Sequence, residues 1–154
     1  MKMIKKLSIS FIIAVMLVFQ PFSVIAAPIN TTVTTEYLDN GNYLEIVIES
    51  NTNQRSSIKN ASKTVTYKNA DGQSLWYAKV TANFYFDGKT SSCTSSSASA
   101  GSYVDIWKIL SKSSSRTGNT ASATVTAGAY VGGLYVDSTT EKVLLSCDKN
   151  GNLS

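Results

Sequence analysis

From Ser74 to Phe86, apolar and polar side chains alternate without a break. Trp76, Ala78, Val80, Ala82, Phe84 and Phe86 share one parity, while Tyr77, Lys79, Thr81, Asn83 and Tyr85 share the other. Successive strand side chains point to opposite faces, so this run predicts a β-strand with one face buried. Asp71-Gly72 precedes it and Asp87-Gly88 follows it. Such pairs supply the positive φ of two-residue hairpin turns. A turn at Asp71-Gly72 pairs Tyr67 with Trp76 and Val65 with Ala78; one at Asp87-Gly88 pairs Ala82 with Cys93. Both turns select the same inner face, and a slip of one residue would reverse every side chain.

Weaker alternation marks further strands. Ala121, Ala123 and Val125 alternate with Ser122, Thr124 and Thr126, and Val143, Leu145 and Cys147 alternate with Leu144 and Ser146. Tyr43 to Glu49 and Val131 to Val136 add two more. Tyr103, Ile106, Trp107 and Leu110 fit the helical template, with Ser102 and Asp105 placed for a capping box. The β-branched and aromatic content of that short stretch favours a strand. As a strand it stays in phase with Val125 through a three-residue turn, Thr117-Gly118-Asn119, with Ser111 opposite Val125 and Asn119 left-handed. Seven or eight antiparallel strands with short turns and no intervening helices predict an all-β, two-sheet sandwich.

The chain start reads as an export signal. Lys2, Lys5 and Lys6 precede an apolar run from Leu7 to Phe19, and Val24-Ile25-Ala26 offers a cleavage site after Ala26. The run is shorter than the roughly 20 apolar residues that span a bilayer, so no membrane span is expected after signal removal. The expected organisation is a signal over 1–26, a loose polar lead-in over 27–40 and one β-domain over 41–154, secreted and soluble. Of 154 residues, 14 are basic and 10 acidic. Without the three signal lysines the balance is near neutral, which argues against nucleic acid as a partner.

Cys93 and Cys147 are the only thiols, and both fall on inferred inner faces of a chain bound for export. A disulfide between them is expected, worth roughly 4 kcal/mol on the chain-entropy model. The order Cys93, Trp107, Cys147 resembles the Cys-Trp-Cys arrangement of immunoglobulin domains, although Leu145 stands where those domains often carry a tyrosine. The resemblance implies a sandwich of immunoglobulin-like character. The Val65-Thr66-Tyr67 and Leu75-Trp76 hairpin, Phe84 to Cys93, the stretch from Ser115 and the ending from Val143 to Ser154 resemble small exported β-proteins of Gram-positive bacteria that have no assigned function. That resemblance implies export and carries no catalytic residue.

Chemistry is sparse. The chain has no histidine, which removes Ser-His-Asp and Cys-His mechanisms and His-containing zinc sites. Glu45 and Glu49 share a strand face but lie roughly 13 Å apart at 3.3 Å per residue, beyond a glycosidase pair. Asp148-Lys149-Asn150-Gly151-Asn152 resembles the opening of a calcium loop but lacks its sixth-position glycine and its closing glutamate, and reads better as a turn. No enzyme activity, cofactor or metal site is expected. The functional candidate is the outer parity of the long strand: Tyr77, Lys79, Asn83 and Tyr85, where tyrosines could stack on a glycan or anchor a protein. The expected function is therefore a non-enzymatic exported binding module with an unknown protein or glycan partner. The alternative is a secreted effector, either an antimicrobial protein or an enzyme inhibitor.

Overall fold

The computed structural model describes residues 29–52 and 57–154. The expected export signal lies outside them. Among the described residues eight strands follow in order: β1 (Ile29–Tyr37), β2 (Tyr43–Thr52), β3 (Ile58–Lys68), β4 (Ser74–Phe86), β5 (Ser91–Ser102), β6 (Trp107–Thr117), β7 (Thr120–Val131) and β8 (Leu134–Ser146). They form a five-stranded sheet, β1-β2-β3-β4-β5, and a three-stranded sheet, β6-β7-β8. Every paired strand is antiparallel to its neighbour in sequence. The all-β, two-sheet expectation holds. The topology is a plain meander within each sheet, unlike the Greek-key exchange of immunoglobulin domains.

The two inner faces share one core. Trp76, Val80 and Phe84 of the larger sheet and Val125, Val143 and Leu145 of the smaller are fully buried, each worth about 1.5–3 kcal/mol or more. Alanines at 61, 78, 82, 121, 123 and 127 lie between them, also buried, and let the sheets approach around the large side chains. At one end Tyr67 stacks on Trp76, with centroids 4.5 Å apart and planes at 12°. Trp107 closes over Trp76 from the other sheet at 6.0 Å.

Several local expectations change. Tyr67 does face Trp76 and Val65 does face Ala78. The turn that sets them runs from Asn69 to Gln73, whose backbones bond at 3.0 Å. A register shift between Tyr67 and Lys68 then restores the phase. At the next turn Asp87 bonds Thr90, and its carboxylate accepts the N–H groups of Lys89 and Thr90. The turn residues are therefore Gly88-Lys89, and Cys93 lies opposite Phe84 instead of Ala82. The inner face is unchanged because the register moves by an even number of residues.

Tyr103–Leu110 is neither a helix nor wholly a strand. Residues 103–106 make the turn that crosses between sheets, with the Trp107 N–H donating to the Val104 carbonyl at 3.2 Å. Of the supposed helical face, Tyr103, Ile106 and Leu110 remain exposed. The β6–β7 turn has two residues, since Thr117 pairs with Thr120. Gly118 takes the positive φ, and no non-glycine residue does so among the described residues. The phase is restored by a register shift between Ile109 and Ser111. Val131–Val136 spans the Gly132-Gly133 turn and not a separate strand.

Two larger corrections concern the ends of the chain. Ile29–Tyr37, expected as a loose lead-in, is an edge strand templated by the open side of β2. The expected Cys93–Cys147 disulfide is absent: both thiols are free and buried. The cysteines belong to different layers and meet the β6–β7 turn separately. The Cys93 N–H donates to the Gly118 carbonyl at 2.8 Å and the Cys147 N–H to the Asn119 carbonyl at 3.1 Å. Their thiols lie against different carbonyls, those of Ser95 and Asp148. Inward parity placed both in the core but could not bring them together.

Candidate functional site: the outer face of the five-stranded sheet

Strand register lines up the outer side chains of the larger sheet in rows. One row runs Ile29, Asn51, Asn60, Asn83, Ser95, and the next Thr31, Glu49, Ser62, Thr81, Ser97. The Asn60 amide donates to the Asn83 side-chain oxygen at 2.7 Å, and the Asn83 amide donates to the Ser95 hydroxyl at 2.9 Å. Asparagine is disfavoured in strands on propensity grounds. Here the Asn60 and Asn83 amides are each satisfied by a cross-strand neighbour, and unused donors and acceptors face solvent.

A shallow depression of about 140 Å³ adjoins this row, lined by Ile29, Glu49, Ser50, Asn51, Asn60 and Ser62. The Ser62 hydroxyl reaches the Glu49 carboxylate at 3.5 Å. A carboxylate, two carboxamides and a hydroxyl thus converge on one hollow. Tyr85, two residues beyond Asn83 on the same face, is 42% exposed and lies opposite Ile58. A wider hollow of about 390 Å³ opens at the β5–β6 corner, lined by Ala100, Ile109, Leu110, Ser111 and Lys112. Its polar lining side chains are only Ser111 and Lys112.

The four residues expected to form the binding face divide into two groups. Asn83 and Tyr85 lie at the amide row. Tyr77 lies at the other end of the strand, roughly 26 Å from Tyr85 at 3.3 Å per residue. Its ring packs over Gly101, where an added Cβ would come within 2.7 Å, and against Tyr103 at 5.7 Å. Lys79 pairs with Glu49 at 3.8 Å. Glu45 is likewise paired, with Lys68 at 2.9 Å, so neither carboxylate of β2 is isolated. Neither Asn51 nor Asn60 was placed in the binding face from sequence, where Asn60 reads only as the acceptor of an Asn60-Ala61-Ser62 glycosylation match. The hairpin register that sets Tyr67 opposite Trp76 also sets Asn60 opposite Asn83, which was the available signal.

Elsewhere the chemistry is structural. Burial pushes the thiols of Cys93 and Cys147 up from the ordinary cysteine value, which keeps them protonated and unreactive. At the C-terminal turn the Asp148 carboxylate accepts the N–H groups of Asn150 and Asn152 and the Asn152 side-chain amide, all at 2.8 Å. Those bonds hold its carboxyl below the usual range, the Asn152 side chain most of all. This is the expected turn. Among the described residues no cluster of three or more Cys, Asp or Glu is placed to hold a metal, and no helix is long and apolar enough to cross a membrane. Neither family models, curated proteins nor solved structures match this chain.

Proposed function

We propose that this is an exported, non-enzymatic binding protein whose ligand is a glycan, held at the Asn51–Asn60–Asn83 end of the outer face. The observation that supports this is the convergence of Glu49, Asn51, Asn60 and Ser62 on one open hollow. Carboxylates, carboxamides and hydroxyls are the groups that pair with sugar hydroxyls, and Tyr85 supplies an adjacent ring for the apolar face of a pyranose. An oligosaccharide array probed with the purified protein tests the reading. At least one neutral or amino-sugar oligosaccharide should be retained, and retention should fall at least tenfold in Asn83→Ala and Tyr85→Ala. An array with no retained oligosaccharide contradicts it.

The alternative, a secreted effector acting on another cell's envelope, is favoured by the β7–β8 tip, where Val131, Leu134, Tyr135 and Val136 are all exposed. Dye release from anionic phospholipid vesicles, abolished by Leu134→Ser, would support that reading in place of the first.

A further inference from the structure

β1 leaves one edge of the five-stranded sheet uncovered. The Leu38 N–H bonds the Asn42 carbonyl at 2.9 Å at the β1–β2 turn, and antiparallel bonding alternates along a strand. Asn30, Thr32, Thr34 and Glu36 therefore turn their backbone groups to β2. Ile29, Thr31, Val33, Thr35 and Tyr37 turn theirs outward. Among the described residues, no backbone bond links that outer edge to another element.

Exposed edges are normally blunted by lysine, proline, a bulge or a covering loop. β1 carries no lysine and no proline within its span, and its pairing to β2 has no register shift. Ile29, Val33 and Tyr37 are 64%, 58% and 78% exposed. The opposite edge of the sheet is closed: Arg116 of β6 donates to the carbonyls of Cys93 and Thr94 on β5.

The β1 sequence, Ile-Asn-Thr-Thr-Val-Thr-Thr-Glu-Tyr, is self-complementary about its centre. An antiparallel copy related by a two-fold axis at Val33 sets Val33 against Val33, Thr31 against Thr35, and Ile29 against Tyr37. Thr32 then meets Thr34, and Asn30 meets Glu36. Apolar residues face apolar ones, hydroxyls face hydroxyls, and the only charge of the strand faces a neutral amide. The outward-turned residues become the hydrogen-bonded pairs, each exchanging two backbone bonds.

We propose that two copies of this chain dimerise through β1, joining their five-stranded sheets into one continuous antiparallel sheet. The two-fold axis stands perpendicular to the sheet, so both outer faces look the same way. This inference rests on the edge and not on any ligand.

Sedimentation equilibrium of the purified chain under reducing conditions tests it, with a dimer as the expected result. Val33→Pro removes an N–H that β2 does not use, so the fold should survive, as read by circular dichroism, while dimer association weakens at least tenfold. Val33→Lys and Val33→Asp each place like charges across the axis and should be monomeric alone, yet dimeric when mixed. A monomeric parent chain, or a dimer that persists in Val33→Pro or Val33→Lys, overturns the proposal.

Discussion

Asn60 and Asn83 are bonded side chain to side chain at 2.7 Å across the β3–β4 pair, on the solvent side of the sheet. Neither residue is needed for the core, which lies on the opposite face. Their bond holds two carboxamides in fixed orientation beside the hollow at Asn51 and Glu49. An exposed cross-strand pair of this kind contributes about 0.2–1 kcal/mol. Asn83→Ala is therefore expected to cost no more than about 1 kcal/mol in urea unfolding, while removing the partner of both Asn60 and Ser95. A much larger loss would mean that the amide row is a structural element first.

Trp76 is fully buried, and among the described residues its indole Nε1 has no hydrogen-bond partner. An unpaired buried donor costs about 1–3 kcal/mol. Trp76→Phe removes that donor along with some volume, so the two effects oppose each other. It should cost well under the about 3–5 kcal/mol expected of Trp76→Ala. A loss in Trp76→Phe as large as that range, measured by denaturant midpoint, would contradict the expected offset.

Glu141 of β8 is half-buried beneath the larger sheet. Burial, and then the nearby Glu36, push its carboxyl above the ordinary glutamate value. Burial, Glu141 and Glu36 in turn raise Tyr67. A group with a raised native pKa holds its proton more tightly folded than unfolded, so its contribution is present at low pH and fades as pH rises through the native value. Glu141→Gln should therefore be more stable than the parent at neutral pH, with the difference vanishing toward about pH 4, near the ordinary carboxylate value. Asp87 and Asp148 act in the opposite sense, because backbone donors at Asp87 and the Asn152 side chain at Asp148 hold their carboxyls low. Their contribution is lost only as pH falls through the lowered values. Melts of parent and variant across this range check the sign.

Cys93 and Cys147 should titrate as two free thiols in denaturant and stay unreactive toward a thiol reagent in the folded protein at neutral pH. Their burial and the absence of a bond between them both require this. Intact mass spectrometry showing a cross-linked pair in the folded protein would contradict the arrangement of the two layers at the β6–β7 turn.

The strand interiors were legible because period two is a local property. Ser74–Phe86 is β4 to the residue, and its inward parity holds from Trp76 to Phe84. What escaped the sequence was set by geometry that composition does not encode. The registers at Gly88 and Gly118 depend on which residue takes the positive φ, and the compensating shift between Ile109 and Ser111 has no compositional mark. The pairing of β1 depends on the open edge of β2, so its threonines resembled a tail. The disulfide failed for a related reason: parity assigns a face, whereas a bond needs two positions to coincide. For the site, Asn83 and Tyr85 were visible on their strand, while Asn51 and Glu49 join them only through the β2–β3 register.

The side-chain amide resonances of Asn51, Asn60 and Asn83 report most directly on whether the amide row holds a sugar. In a nuclear magnetic resonance titration with an oligosaccharide retained on the array, these three amides and the Tyr85 ring should show the largest shifts. Largest shifts on the opposite sheet, at Ser111, Thr126 and Thr140, would contradict the account.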